Sequence, residues 1–269
     1  MLRKLMKHEF RATARLMLPL YLAALVLALL SRLGDLATQH IAVSGFDILD
    51  LLYGIITVGF AAALIAVPVA AFILMILRFR SNLLADEGYV MFTLPVSTHQ
   101  LVWSKLLVSL VWFVGAVVVD ALAMIVLAAD RAFFRNFREI LSNVLDNLTQ
   151  PDQAMLGHAV GYTAEFLLLC LVGCILCCLI FYAPLAIGHS FDRRKMLLSV
   201  VFFFVIQIAM EMISVGGANL LFRLVNDVTV SPALSIHAGF WGLILCAAVF
   251  AGILYCITIR MLHRHLNLE

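Results

Sequence analysis

Residues 51 to 77, LLYGIITVGFAAALIAVPVAAFILMIL, contain no Asp, Glu, Lys, Arg or His. A helical crossing of a bilayer needs about 20 apolar residues, so this run fits a membrane span and little else. Five further runs have the same character: 16 to 31, 106 to 129 (interrupted by Asp120), 159 to 188 (Glu165 near its start), 197 to about 215 (with Glu211), and about 238 to 259. The composition agrees, with 64% hydrophobic and 13% charged residues and a mean hydropathy of +1.08, far from an ordinary soluble domain. The expected fold is an all-α polytopic membrane protein with six transmembrane helices in one domain, 1–269. A basic stretch precedes the first run, but no small-residue cleavage site follows it, which predicts an uncleaved anchor.

Basic residues set the expected orientation. Of the 18 Lys and Arg, all but Arg32, Arg131, Arg135, Arg138 and Arg223 fall in 1–15, 78–105, 189–196 and 260–269. These segments are therefore expected in the cytoplasm, with both termini. The charge balance of +2 reads as a topology signal and not as nucleic-acid binding.

Three helices are expected outside the spans. At the N-terminus Arg3, Lys4, Lys7, His8, Arg11 and Arg15 fall on one face and Leu2, Leu5, Met6 and Phe10 on the other, the pattern of an interfacial helix on anionic lipid, expected over 1–14. Within an extracytoplasmic segment 130–158, Phe133, Phe134, Phe137, Ile140, Leu141, Val144, Leu145 and Leu148 recur at helical spacing among polar residues. That amphipathic helix either rests on lipid and neighbouring spans or covers a cavity. The third lies in 78–105. Ser97-Thr98-His99-Gln100 has the form of a capping box, with Val96 able to staple to Leu101. The helix it starts, running to about 129, would be about 48 Å long and should project from the membrane. Before it, Pro95 disfavours helix at Leu94, and Asp86 and Glu87 suit a helix N-terminus. Between them Tyr89, Val90, Met91 and Phe92 would form a short apolar helix, a docking knob.

Residues 79 to 105, FRSNLLADEGYVMFTLPVSTHQLVWSK, resemble the loop between the second and third spans of bacterial ABC transporter permeases of the type-2 exporter family, where an E-G-Y-x-x-F-T-L-P-V-S run carries the coupling helix. The resemblance implies that Asp86, Glu87, Gly88, Tyr89, Phe92, Thr93, Leu94 and Pro95 contact a separate ABC ATPase subunit, which holds ATP and Mg. It further implies a second permease copy or sister permease, the bacterial cytoplasmic (inner) membrane, and outward transport of a peptide, drug or lipid-like cargo; an amphiphilic or cationic cargo is what a cavity lined by Asp120, Glu165 and Glu211 would prefer. One departure is the segment from Gly216 to Ser231, shorter than the re-entrant region many members place before the last span.

The chain has no G-x-x-x-x-G-K-[ST] and no H-E-x-x-H, so no nucleotide cofactor, metal or catalytic residue is expected in it. Cys170, Cys174, Cys177 and Cys178 share one helix face, which suits close packing in lipid more than a metal cluster needing thiolates. Asp120, Glu165 and Glu211 are costly in hydrocarbon. Each either reaches a headgroup layer or a neighbouring helix, or the three line one wet, cation-preferring cargo cavity. An intramembrane enzyme using these acids, and a non-transporting scaffold or sensor subunit, are the alternatives.

Overall fold

The computed structural model describes residues 2–40, 48–85, 87–93, 95–149, 153–191, 194–226 and 232–264. Within them lie eight helices: α1 Leu2–His40, α2 Ile48–Leu83, α3 Glu87–Thr93, α4 Thr98–Ala128, α5 Arg131–Thr149, α6 Gln153–Gly188, α7 Lys195–Asn226 and α8 Pro232–Arg264. All but α3 and α5 are long and apolar enough to cross a membrane, as a multi-pass membrane protein requires. Prolines 19, 68 and 184 lie inside α1, α2 and α6. Such interruptions are tolerated in membrane helices, where neighbouring groups re-satisfy the freed backbone.

The helices group into two compact units. One contains α1 from Arg3, α2 as far as Met75, α4 from Leu107, and α5. Here α1 and α4 run parallel: Thr13 and Tyr21 meet Trp112, and Arg32 donates to the Ala129 carbonyl at 2.7 Å. Alpha-helix α2 runs antiparallel to α1, with the Ser31 and Thr57 hydroxyls 3.4 Å apart. Met17, Tyr21, Ala24, Val67, Ala71, Val108, Trp112 and Ala116 form the main core, extended by Ala28, Phe60 and Ala123.

The N-terminal segment differs from expectation. Residues 2–14 are not a separate interfacial helix but the first turns of an unbroken α1. The reason is a continuous buried stripe, Glu9, Thr13, Met17, Tyr21, Ala24, Ala28 and Ser31, repeating every three or four residues from the basic segment into the apolar one. Trp112 Nε1 donates to Thr13 Oγ1 at 2.7 Å, Thr13 donates to the Glu9 carbonyl, and the Phe10 and Trp112 rings stack at 4.7 Å. Packing against α4 thus holds the segment, while Arg3, Lys4, Lys7, His8, Arg11 and Arg15 stay exposed.

Helix α5 forms over the expected periodic run, and Asp130 caps it by accepting from the Phe133 amide at 2.5 Å. Its apolar residues Phe134, Phe137, Ile140, Leu141 and Leu145 are exposed.

The other unit contains the end of α2, α3, the start of α4, and α6 to α8. Helices α6 and α8 are parallel, with contacts from His158–His237 to Ser190–Met261, and α7 returns between them in sequence, pairing Phe181 with Phe203. The turn from α6 to α7 is closed by Gly188. A Cβ there would meet the Ser199 amide nitrogen at 2.6 Å and the Lys195 carbonyl oxygen at 2.7 Å, so only glycine lets the first turn of α7 approach so closely.

Candidate functional site

The expected docking knob is a helix. After α2, the Leu84 amide donates to the Arg80 carbonyl at 2.9 Å and the Gly88 amide to Ala85 at 2.7 Å, turning the chain into the seven residues of α3. Thr93 Oγ1 closes the other end on the Val90 carbonyl at 2.8 Å. Ser97 then caps α4 as its sequence predicts, its carbonyl accepting from the Gln100 and Leu101 amides and its Oγ from Gln100 at 3.4 Å. Tyr89 is 54% and Val90 65% exposed, Glu87, Thr93 and Pro95 are exposed, Phe92 is half-buried and Gly88 is buried. Asp86 and Leu94 lie outside the described residues. The free apolar surface of α3 is therefore centred on Tyr89 and Val90, with Phe92 less open than the sequence suggests.

The stems of this loop are firmly packed. Phe79, Leu83, Leu101, Val102, Ser104 and Leu106 are almost fully buried. The Phe79 ring stacks on Tyr182 of α6. At the start of α4, His99 Nδ1 and the Tyr255 hydroxyl of α8 are 2.7 Å apart, and the Trp103 ring lies 5.9 Å from that of Tyr255. Just past α6, His189 Nδ1 donates to the Leu185 carbonyl at 2.9 Å. Burial pushes its titration below the ordinary value of 6.5, and the charges of Arg80 and Lys195 push the same way.

The three acids have three different surroundings. Asp120 belongs to the first unit, is half-buried on α4, and has a buried Oδ1 with no hydrogen-bond partner among the described residues. Glu165 of α6 is 9% exposed and its two oxygens lie 2.8 and 2.9 Å from His237 Nδ1 of α8. Glu211 of α7 lines an open cavity of about 600 Å³ with Leu169, Gln207, Ser214, Leu243 and Phe250, where Glu165 is not a wall residue. Gln207, Glu211 and Ser214 fall on one face of α7, giving this otherwise apolar cavity one polar wall.

Sequence reasoning missed the histidines. His158, Tyr162 and Glu165 stand at i, i+4 and i+7 on α6, a polar stripe that was visible in the sequence. What was not visible is His237, which enters from 72 residues further on. His158 Nδ1 and His237 Nε2 are 3.0 Å apart, and Tyr162 stacks on His237 with ring centroids 4.3 Å apart. No family model matches the chain, and neither a curated protein nor a solved structure is similar to it.

Proposed function

We propose that this chain is the transmembrane subunit of an ATP-driven exporter, with ATP and Mg bound by a separate ATPase subunit that docks on α3. The observation that carries the reading is α3 itself: a short helix held between two spans, presenting Tyr89 and Val90 to solvent on stems tied to α6 and α8. Closure of the paired ATPases would move α3 and reorient the spans, releasing cargo outward. The distribution of Lys and Arg supports placing α3 and both termini in the cytoplasm of a bacterial inner-membrane protein. A second permease, identical or related, would complete the pathway.

The Glu211 cavity supports an amphiphilic, cationic cargo. A carboxylate facing an apolar cavity in hydrocarbon is costly alone and is matched by a cation carried on an apolar body. A non-transporting scaffold would also dock through α3, and differs in moving nothing.

The test is co-purification of the ATPase with variants at α3. Exposed aromatic residues are the usual anchors of an interface, and loss of one costs about 2 kcal/mol. Tyr89→Ala should weaken ATPase association roughly thirtyfold, and Tyr89→Ala with Phe92→Ala should abolish it while membrane insertion is unchanged. Undiminished co-purification of the double variant would remove the reading. Cargo movement by the reconstituted complex, dependent on ATP, separates an exporter from a scaffold.

A further inference from the structure

Glu165, His237 and His158 form a hydrogen-bonded line. It runs from a carboxyl group whose side chain is 10% exposed, through one imidazole, to a second, exposed imidazole near the start of α6. We propose that this line is a proton-loading site: Glu165 takes up and releases one proton through His237 and His158.

The arrangement fits proton binding because it has two complete hydrogen-bonded states. In the first, His158 Nδ1–H donates to His237 Nε2, His237 Nδ1–H donates to the Glu165 carboxylate, and His158 Nε2 accepts from water. A proton arriving at His158 Nε2 releases the one on Nδ1 to His237 Nε2, which in turn releases its Nδ1 proton to Glu165. Both imidazoles finish neutral with the proton on the other nitrogen, Glu165 is neutral, and the proton taken from water is accounted for. Every hydrogen bond survives with its direction reversed: Glu165 O–H to His237 Nδ1, and His237 Nε2–H to His158 Nδ1. The carboxyl charge in the membrane changes, yet no contact between α6 and α8 is broken.

The surroundings hold the line in register. Tyr162 stacks on His237 and donates its hydroxyl to the Ala233 carbonyl at 3.1 Å, fixing the start of α8 against α6. Gly161 lies under the ring, and a Cβ there would stand 2.9 Å from His237 Cε1. The titratable groups of α6 at this point are His158, Tyr162 and Glu165, and α8 supplies His237. Helix α7, which also packs on α6, carries Glu211, which lines its own cavity. A metal would need lone pairs converging on one point, whereas here His237 spends one nitrogen on each neighbour. Among the described residues no three such side chains are placed to hold a metal ion.

The full chain in lipid nanodiscs tests this by infrared difference spectroscopy during acidification. Acidification should raise a protonated-carboxyl band that is missing in Glu165→Gln. After a pH jump, His158→Phe, a change at an exposed position, should reach the same band amplitude roughly a hundredfold more slowly. Gly161→Ala, which displaces the His237 ring without removing a titratable group, should slow it as well. A band that forms at the wild-type rate in His158→Phe, or the lack of any Glu165-dependent band, would overturn the proposal. So would stoichiometric binding of Zn²⁺ lost in His237→Gln, which would make this a metal site. None of these readouts needs the ATPase or a cargo, so the outcome is separate from that of the exporter reading.

Discussion

The Phe79 ring lies flat on Tyr182, with centroids 3.8 Å apart and 9° between the planes, and neither side chain is exposed at all. Phe79 stands eight residues before α3, so this stack joins the stem of the α3 loop to α6. In hydrocarbon the transfer part of a burial energy largely disappears, because lipid is as apolar as a helix interface. The cavity part remains. Phe79→Ala should cost about 2 kcal/mol by the volume it empties, read as a lower unfolding midpoint in detergent. On the exporter reading proposed above, it should also loosen the link between ATP hydrolysis and transport while leaving ATPase association intact, since Tyr89 is untouched.

The Thr13–Trp112 hydrogen bond should behave as a coupled pair. Thr13→Val leaves the indole N–H buried without an acceptor, and Trp112→Phe removes the donor. Hydrogen bonds between membrane helices average below 1 kcal/mol, so a double-mutant cycle on thermal stability should give a coupling of about 0.5–1 kcal/mol. Additive losses would mean that the stacking of Phe10 on Trp112, not the hydrogen bond, holds the start of α1.

How legible these features were depended on what each stripe is made of. Helix α5 could be read because its stripe is Phe133, Phe137, Ile140 and Leu141 set among Arg135, Arg138 and Glu139, a plain contrast of apolar and charged. The break at Pro95 and the cap at Ser97 could be read because both act through the local backbone. The unbroken α1 could not, since its buried positions include Glu9, Thr13 and Ser31, and charge on the opposite face dominated the pattern. His237 beside Glu165 is a long-range contact, and periodicity along a single helix carries no information about it.

Acid should destabilise the chain through His189. Its titration is shifted downward, so the folded state binds its proton less readily than the unfolded chain does. The stability it contributes is full above the ordinary value of 6.5 and is lost as the pH falls through the lowered folded value. His189→Gln, which carries no such proton, should therefore show a flatter fall of unfolding midpoint with acidification. An unchanged slope would mean that the imidazole is not buried beside Arg80 and Lys195 as the structure places it.

On the exporter reading, Glu211 and Glu165 should part company. Glu211 faces an open apolar cavity beside Gln207 and Ser214, and among the described residues nothing neutralises it. Glu165 is held by His237. If the cavity takes a cationic amphiphile, Glu211→Gln should weaken binding of such a cargo by about tenfold, on the scale of one exposed ion pair or a little more. Binding of a neutral amphiphile of the same shape should be unchanged, because the apolar wall of Leu169, Leu243 and Phe250 is intact. Glu165→Gln should leave both affinities near wild type, because Glu165 is not a wall residue of that cavity. Equal losses for the cationic cargo in the two variants would instead join these acids in one binding field, and the pair would then be non-additive.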